Sequence, residues 1–201
     1  FKNIYVLPPM ADDGLAIGSA ILTAIDLGQD VSWLKDHVMP YFGDSYTRKQ
    51  VKKALDSFNN ITYEDLGSNW PYEAAISVSE GKICALFQGK MEFGPRALGN
   101  RSIVANPMLE DIRQKINSTV KRRPSYQPFC PSILEEERER LFKNSFSHKH
   151  MAIAFRMKDE FIKDLPCAVH VDGTARPQFV EEKDNPNYYR FLKALKDITG
   201  Y

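Results

Sequence analysis

The chain has few cysteines, no long apolar run and almost no net charge. Cys84, Cys130 and Cys167 are its only cysteines among 201 residues. They are odd in number, far apart and form no Cys-x-x-Cys, so they suggest neither a disulfide framework nor a zinc site. That usage fits a reducing, cytoplasmic compartment. No apolar stretch approaches the roughly 18 residues of a membrane helix, so no membrane partner is expected. With 27 basic and 26 acidic residues the net charge is only +1, which argues against a nucleic-acid face over the whole chain. There is no internal repeat, no low-complexity tract and no signal peptide. The first residue is Phe1 rather than methionine, and the chain reads as a piece of something longer.

What is present is an ordinary globular composition, 43% hydrophobic and 26% charged, with helices and strands that alternate. A short strand is expected at 4–8. A helix follows over 11–28, with Asp12 or Asp13 at its start, Gly28 at its end and Gly18, Ser19 and Ala20 available for close packing. A second helix spans about 47–58, capped by Thr47. A third covers 70–81, opened by Pro71 and closed by Gly81. Residues 82–88 read as a buried strand, 109–120 as a helix, 128–134 as a strand broken by Pro131, and 135–142 as a charged helix. Strands are expected at 151–157 and 167–171. The final helix, 185–200, has an Asn185 cap, Pro186 at its first position, Gly200 at its end and an apolar face from Tyr188 to Ile198.

Charge is unevenly placed. Residues 88–130 hold eight basic side chains against three acidic ones, a basic island that suggests a local anionic ligand; the glutamates of 135–142 are expected to offset it. Inside it lies KMEFGPRALGNRSI (90–103), which has neither helical nor strand periodicity. It leaves a strand through Gly89, a common place for ligand loops in α/β sheets. Gly94 and Gly99 allow close backbone approach, and Arg96 and Arg101 offer forked donors for phosphate or carboxylate. In VKRRPSYQPFCPS (120–132), Lys121 and Arg123 alternate and share a face if the segment is extended. A third stretch, HVDGTARPQ (170–178), has an Asp172-Gly173 turn with Arg176 close behind. Alone, that stretch fits an ordinary turn. His148 and His150 read as surface residues without metal partners, and His37 has no neighbouring partner.

Together these stretches resemble the C-terminal part of ATP-dependent O-carbamoyltransferases of the nodulation and antibiotic-tailoring type. The resemblance implies an open, twisted mixed sheet with flanking helices (YrdC-like) over 70–201 and a helical connector over 29–69. Residues 1–28 would be a remnant strand and helix of an actin- or sugar-kinase-like domain. It implies that carbamoyl phosphate and ATP form carbamoyl adenylate, from which the carbamoyl group passes to a hydroxyl-bearing small molecule. Lys121, Arg123 and Arg96 would be catalytic. Lys90, Glu92, Gly94, Asn100, Arg101, Ser102, Pro128, His170, Asp172 and Arg176 would bind substrate or nucleotide, with Glu92 orienting an arginine or meeting the carbamoyl NH2. Mg2+ would accompany ATP. Asp12, in DDGLAIG, would be one ligand of an iron or other divalent metal, and the family's His-x-x-x-His is absent from this chain. The family's next strand and its Asn-Thr-Ser-Phe-Asn stretch would follow Tyr201, so a vacant sheet edge and a homo-oligomer through it are expected, with no turnover by this chain alone. Two other functions fit the same motifs: a threonylcarbamoyl-adenylate-forming, RNA-binding relative, and a non-catalytic anion-binding module.

Overall fold

The computed structural model describes residues 8–9, 11–36 and 39–201. Apart from Pro8, the strand expected over 4–8 lies outside them, as does His37. Helix α1 spans Asp12–Asp26 and ends where Gly28 takes φ 71°. Its N-cap is Ala11, which makes no side-chain bond. Asp12 and Asp13 therefore sit in the first turn, where they face the positive end of the helix dipole instead of capping it. The helix buries no side chain among the described residues, and nothing approaches Gly18. Helix α2, Arg48–Leu55, has the expected Thr47 cap, completed into a capping box by Gln50.

The remaining elements form the packed body. Helix α3 (Trp70–Ser79) runs into strand β1 (Cys84–Phe87), which pairs antiparallel with β2 (Arg101–Val104). Phe87 is exposed and Leu86 buried, so β1 is half-buried rather than buried, as suits a strand with one solvated face. Helix α4 (Ile112–Lys115) continues as a π-helical turn, Ile116–Lys121. Strand β3 (Ser132–Leu134) pairs parallel with β6 (Gln178–Val180), and β4 (Phe155–Arg156) pairs antiparallel with β5 (Thr174–Ala175). Helix α5 is Arg138–Leu141 and α6 is Asp159–Ile162. Helix α7, Pro186–Thr199, has its Asn185 side chain accepting from the Tyr188 N–H, and Gly200 at φ 88°.

The expected mixed α/β class holds. Among the described residues, however, pairing is divided among three two-stranded sheets and not gathered into one. Residues 167–171 form turns, and only Phe155 and Arg156 of 151–157 join a strand. The apolar residues there point inward from largely irregular backbone: Met151, Phe155, Met157 and Val169 are all buried. Two clusters dominate the core. One gathers Phe142, Phe155, Met157 and Phe179; the other packs α3 against α7 through Ala75, Val78, Tyr188 and Phe191. Tyr188 and Phe191 stack with ring centroids 5.9 Å apart.

Two further expectations change. The glutamates of 135–142 do not offset the basic island. Glu135 pairs with Arg138, and Glu137 with Arg140 and Lys196. His148 and His150 are buried, not surface residues. Their rings meet edge-on at 5.6 Å, and His148 Nε2 accepts the Ala152 N–H at 3.1 Å. Burial and the neighbouring His150 push His148 down to about 4.

Candidate functional site

The loop after β1 is folded around one carboxylate. Oε1 of Glu92 accepts backbone N–H bonds from Leu98 (2.7 Å), Asn100 (2.8 Å) and Arg101 (3.2 Å). Glu92 thus closes residues 92–101 into a ring and meets no arginine side chain in doing so. The Leu98 carbonyl accepts from Tyr41 Oη (2.8 Å) and Gln178 Nε2 (3.0 Å). Gly99 sits at φ 107°, and a Cβ there would lie 2.4 Å from the Tyr188 ring, so this glycine is required on two counts. Ser102 Oγ accepts the Gly99 N–H. Asn100 is buried, donates to the Lys90 carbonyl at 2.7 Å and accepts from Asn185 at 2.9 Å. Gly94, at φ 117°, lies against the Pro8 backbone.

The Arg101 guanidinium is held by backbone carbonyls. It donates to the carbonyls of Gln88, Gly89, Asn100 and Asp44 and lies 3.7 Å from the Phe87 ring centre.

The second wall is the π-helical turn with the reversal after it. Lys121 is the last residue of that turn, Arg122 adopts the left-handed region at φ 48°, and Arg123 comes next. The extended geometry expected for this pair is therefore replaced by a tight reversal. Asn117, fully buried, organises it. Its Nδ2 donates to the carbonyls of Ser125 (3.2 Å) and Gln127 (2.9 Å), and its Oδ1 accepts from Arg123 Nε at 2.7 Å. Arg123 also lies over Phe129, 4.7 Å from the ring centre. π-Helical turns are rare and concentrate at functional sites.

Beside these two walls is the turn before β5, which leads to Arg176. Asp172 accepts from the Thr174 N–H and hydroxyl, which holds its carboxyl below the usual carboxylate range. His170 Nδ1 faces the Thr174 hydroxyl at 3.0 Å. Burial, and next the Arg176 charge, lower the His170 pKa, opposed by Asp172.

These walls enclose a cleft of about 410 Å³. Arg96, Arg101, Ser102, Lys121, Arg123, Pro128 and Arg176 all line it. Lys90 and Asn100 instead line a smaller depression of about 260 Å³ with Tyr41 and Asn185. Glu92 and Gly94 build the loop, His170 and Asp172 brace the turn beside Arg176, and Asp12 lines neither cavity. The Nε atoms of Arg96 and Arg176 are buried without a hydrogen-bond partner, as is His170 Nε2. Buried donors are normally satisfied, so the two arginine nitrogens mark a place where an acceptor would fit. Among the described residues the one acidic side chain lining the cleft, Glu137, is already held by Arg140 and Lys196. No group of three or more His, Cys, Asp or Glu among the described residues is placed to hold a metal ion, and Asp12 is exposed at the start of α1.

Tyr41, Asn117, Gln178 and the wider role of Asn185 were not singled out in the sequence as site residues. The partners of Tyr41, Gln178 and Asn185 lie far away along the chain, and a lone Asn, Gln or Tyr has no periodic signature. Asn117 alone had a nearby cue, in its closeness to Lys121 and Arg123.

Comparison with known proteins agrees with the resemblance. A family model described as carbamoyltransferase C-terminus matches residues 75–201. Over its whole length the chain is 64% identical to an uncharacterized protein of Methanocaldococcus jannaschii, of which it covers 34%. It is 35% identical to nodulation protein NolO of Bradyrhizobium diazoefficiens, covering 37% of it. It is 33% identical to a 3'-hydroxymethylcephem-O-carbamoyltransferase of Streptomyces clavuligerus, covering 36% of it. The chain thus spans little more than a third of the length of these relatives. The family match runs from α3 to the end of α7 and takes in every residue that lines the larger cleft, and on that evidence the chain belongs to the carbamoyltransferase C-terminus family.

Proposed function

We propose that the larger cleft binds the anionic groups of carbamoyl phosphate and ATP and forms carbamoyl adenylate, as the activating, YrdC-like part of an O-carbamoyltransferase. The observation that carries this reading is the pair of buried, unpartnered guanidinium nitrogens on Arg96 and Arg176, in one cleft with Lys121 and Arg123. Four cations around one space repel one another unless an anion sits among them. Arginine forks suit phosphate oxygens, and lysine supplies a point charge.

Atom balance sets the order of events. Carbamoyl phosphate and water give carbamate and inorganic phosphate. A carbamate oxygen then attacks the α-phosphorus of ATP, and pyrophosphate leaves. Arg96, Lys121, Arg123 and Arg176 would hold the phosphate oxygens and offset charge on the departing pyrophosphate, with Mg2+ arriving on the nucleotide. The hydroxyl acceptor, the transfer step and any divalent metal would belong to the part of the longer relatives that this chain does not span. The described residues do not make up a metal site, and no step is assigned to Asp12.

The test is isotope exchange between pyrophosphate and ATP in a protein carrying this region and that remaining part, with carbamoyl phosphate present. Arg123→Ala should abolish exchange while acceptor binding persists. Undiminished exchange would remove Arg123 from the mechanism.

A further inference from the structure

Arg96 sits at the crest of its loop, between the exposed Pro95 and Ala97, yet the loop is held on both sides of it by a segment from much earlier in the chain. Residues 40–44 run along 91–93 like a short ribbon. The Phe93 N–H donates to the Pro40 carbonyl at 2.7 Å, the Gly43 N–H to Met91 at 3.0 Å, and the Met91 N–H to Asp44 at 3.2 Å. The approach is close enough that a Cβ on Gly43 would lie 2.7 Å from that of Met91. Beyond Arg96, Tyr41 Oη donates to the Leu98 carbonyl at 2.8 Å. Phe93 and Leu98 bracket Arg96, and the same strap anchors both.

We infer that residues 40–44 are a positioning strap that aims Arg96 into the cleft, with Tyr41 its positioning residue. This rests on the anion-binding reading of the cleft. An unanchored arginine loses side-chain and loop freedom each time it meets an anion. A loop fixed at both shoulders has met that cost beforehand. Glu92 closes the loop from inside, and its one tie to a body element is the longer bond to Arg101 at the start of β2. Gln178 supplies one attachment to the body at Leu98, and the strap adds a second there and the three ribbon bonds near Phe93. Tyr41 is suited to a clean test. Without its hydroxyl, Leu98 keeps Gln178 and Asn185 keeps Asn100, so Tyr41→Phe leaves neither partner orphaned.

The experiment is a double-mutant cycle on this chain, read by calorimetric titration with inorganic phosphate. Four proteins are compared: wild type, Tyr41→Phe, Arg96→Gln and the double variant. Tyr41→Phe should weaken phosphate binding about 3- to 10-fold, as expected for one lost neutral hydrogen bond. In the Arg96→Gln background the same change should have no effect. Equal loss in both backgrounds, or no loss in either, would overturn the positioning role. If wild type and Arg96→Gln bind phosphate alike, or neither binds it, the anion reading of Arg96 fails first and the strap proposal falls with it. Amide exchange at 93–99 gives a second measure. Faster exchange there in Tyr41→Phe, with rates in α3 and α7 unchanged, is the expected result, and unchanged rates at 93–99 would count against the strap.

Discussion

Removal of the Glu92 carboxylate gives the sharpest test of how the loop is built. One oxygen of Glu92 serves three backbone donors, at 2.7, 2.8 and 3.2 Å. Leu98 and Asn100, which give the two shorter bonds, are 1% and 4% exposed, so water cannot readily replace the lost acceptor. Hydrogen bonds to a charged group are worth about 1.5–3 kcal/mol each, and an orphaned buried donor carries its own penalty. Counting the two short bonds in full and discounting the longer one, Glu92→Ala should cost about 3–6 kcal/mol. Glu92→Gln keeps an acceptor oxygen of the same reach and loses only the charge, which halves each bond, so it should cost about 1.5–3 kcal/mol. Urea denaturation followed by circular dichroism measures both. If Glu92 instead served a ligand, as its place in the motif suggested, the two variants would differ little in stability and both would lose binding. A Glu92→Ala protein within about 1 kcal/mol of wild type would refute the ring-closing role.

Other consequences can be checked on the same footing. Gly99→Ala should lower stability by about 2–5 kcal/mol, because it combines a left-handed backbone with a clash against the packed Tyr188 ring; urea midpoints will show it, and a neutral result would mean that the ring can move aside. Asn185→Ala removes the α7 cap and the partner of Asn100, and should cost about 1–2 kcal/mol from the cap alone, visible as a drop in Tm. His148 is held neutral, its folded pKa near 4 against an ordinary value of 6.5. The unfolded chain therefore takes up a proton first as pH falls. This contribution to stability is complete above about pH 6.5, falls steadily toward pH 4 and is gone below it. His148→Gln should flatten that part of the pH–stability curve; an unchanged slope would put the acid sensitivity elsewhere.

The parts legible in the sequence were those whose cause is local. The Thr47 capping box and the Asn185-Pro186 start of α7 with its Gly200 stop need only neighbouring residues and a 3.6-residue period, and both stand where expected. The run from Glu92 to Ser102 and the basic stretch 121–123 were also visible, because charge, glycine and proline are read without knowledge of the fold. Tertiary structure decided what those residues do. Arg101 and Glu92 looked like ligand groups; the fold also gives the first to carbonyls at the end of the β1–β2 hairpin and the second to the loop's own amides. His148 and His150 looked exposed, but they are buried beside β6, where the His148 carbonyl accepts from Phe179. Lys121 and Arg123 looked extended, but Asn117 winds them into a reversal. The Leu98 carbonyl shows the physical reason. Its two donors, Tyr41 and Gln178, lie 57 and 80 residues away. Hydrogen bonds across such separations leave no period in the sequence, because they arise only when packing of α3 against α7 and β3 against β6 brings the segments together.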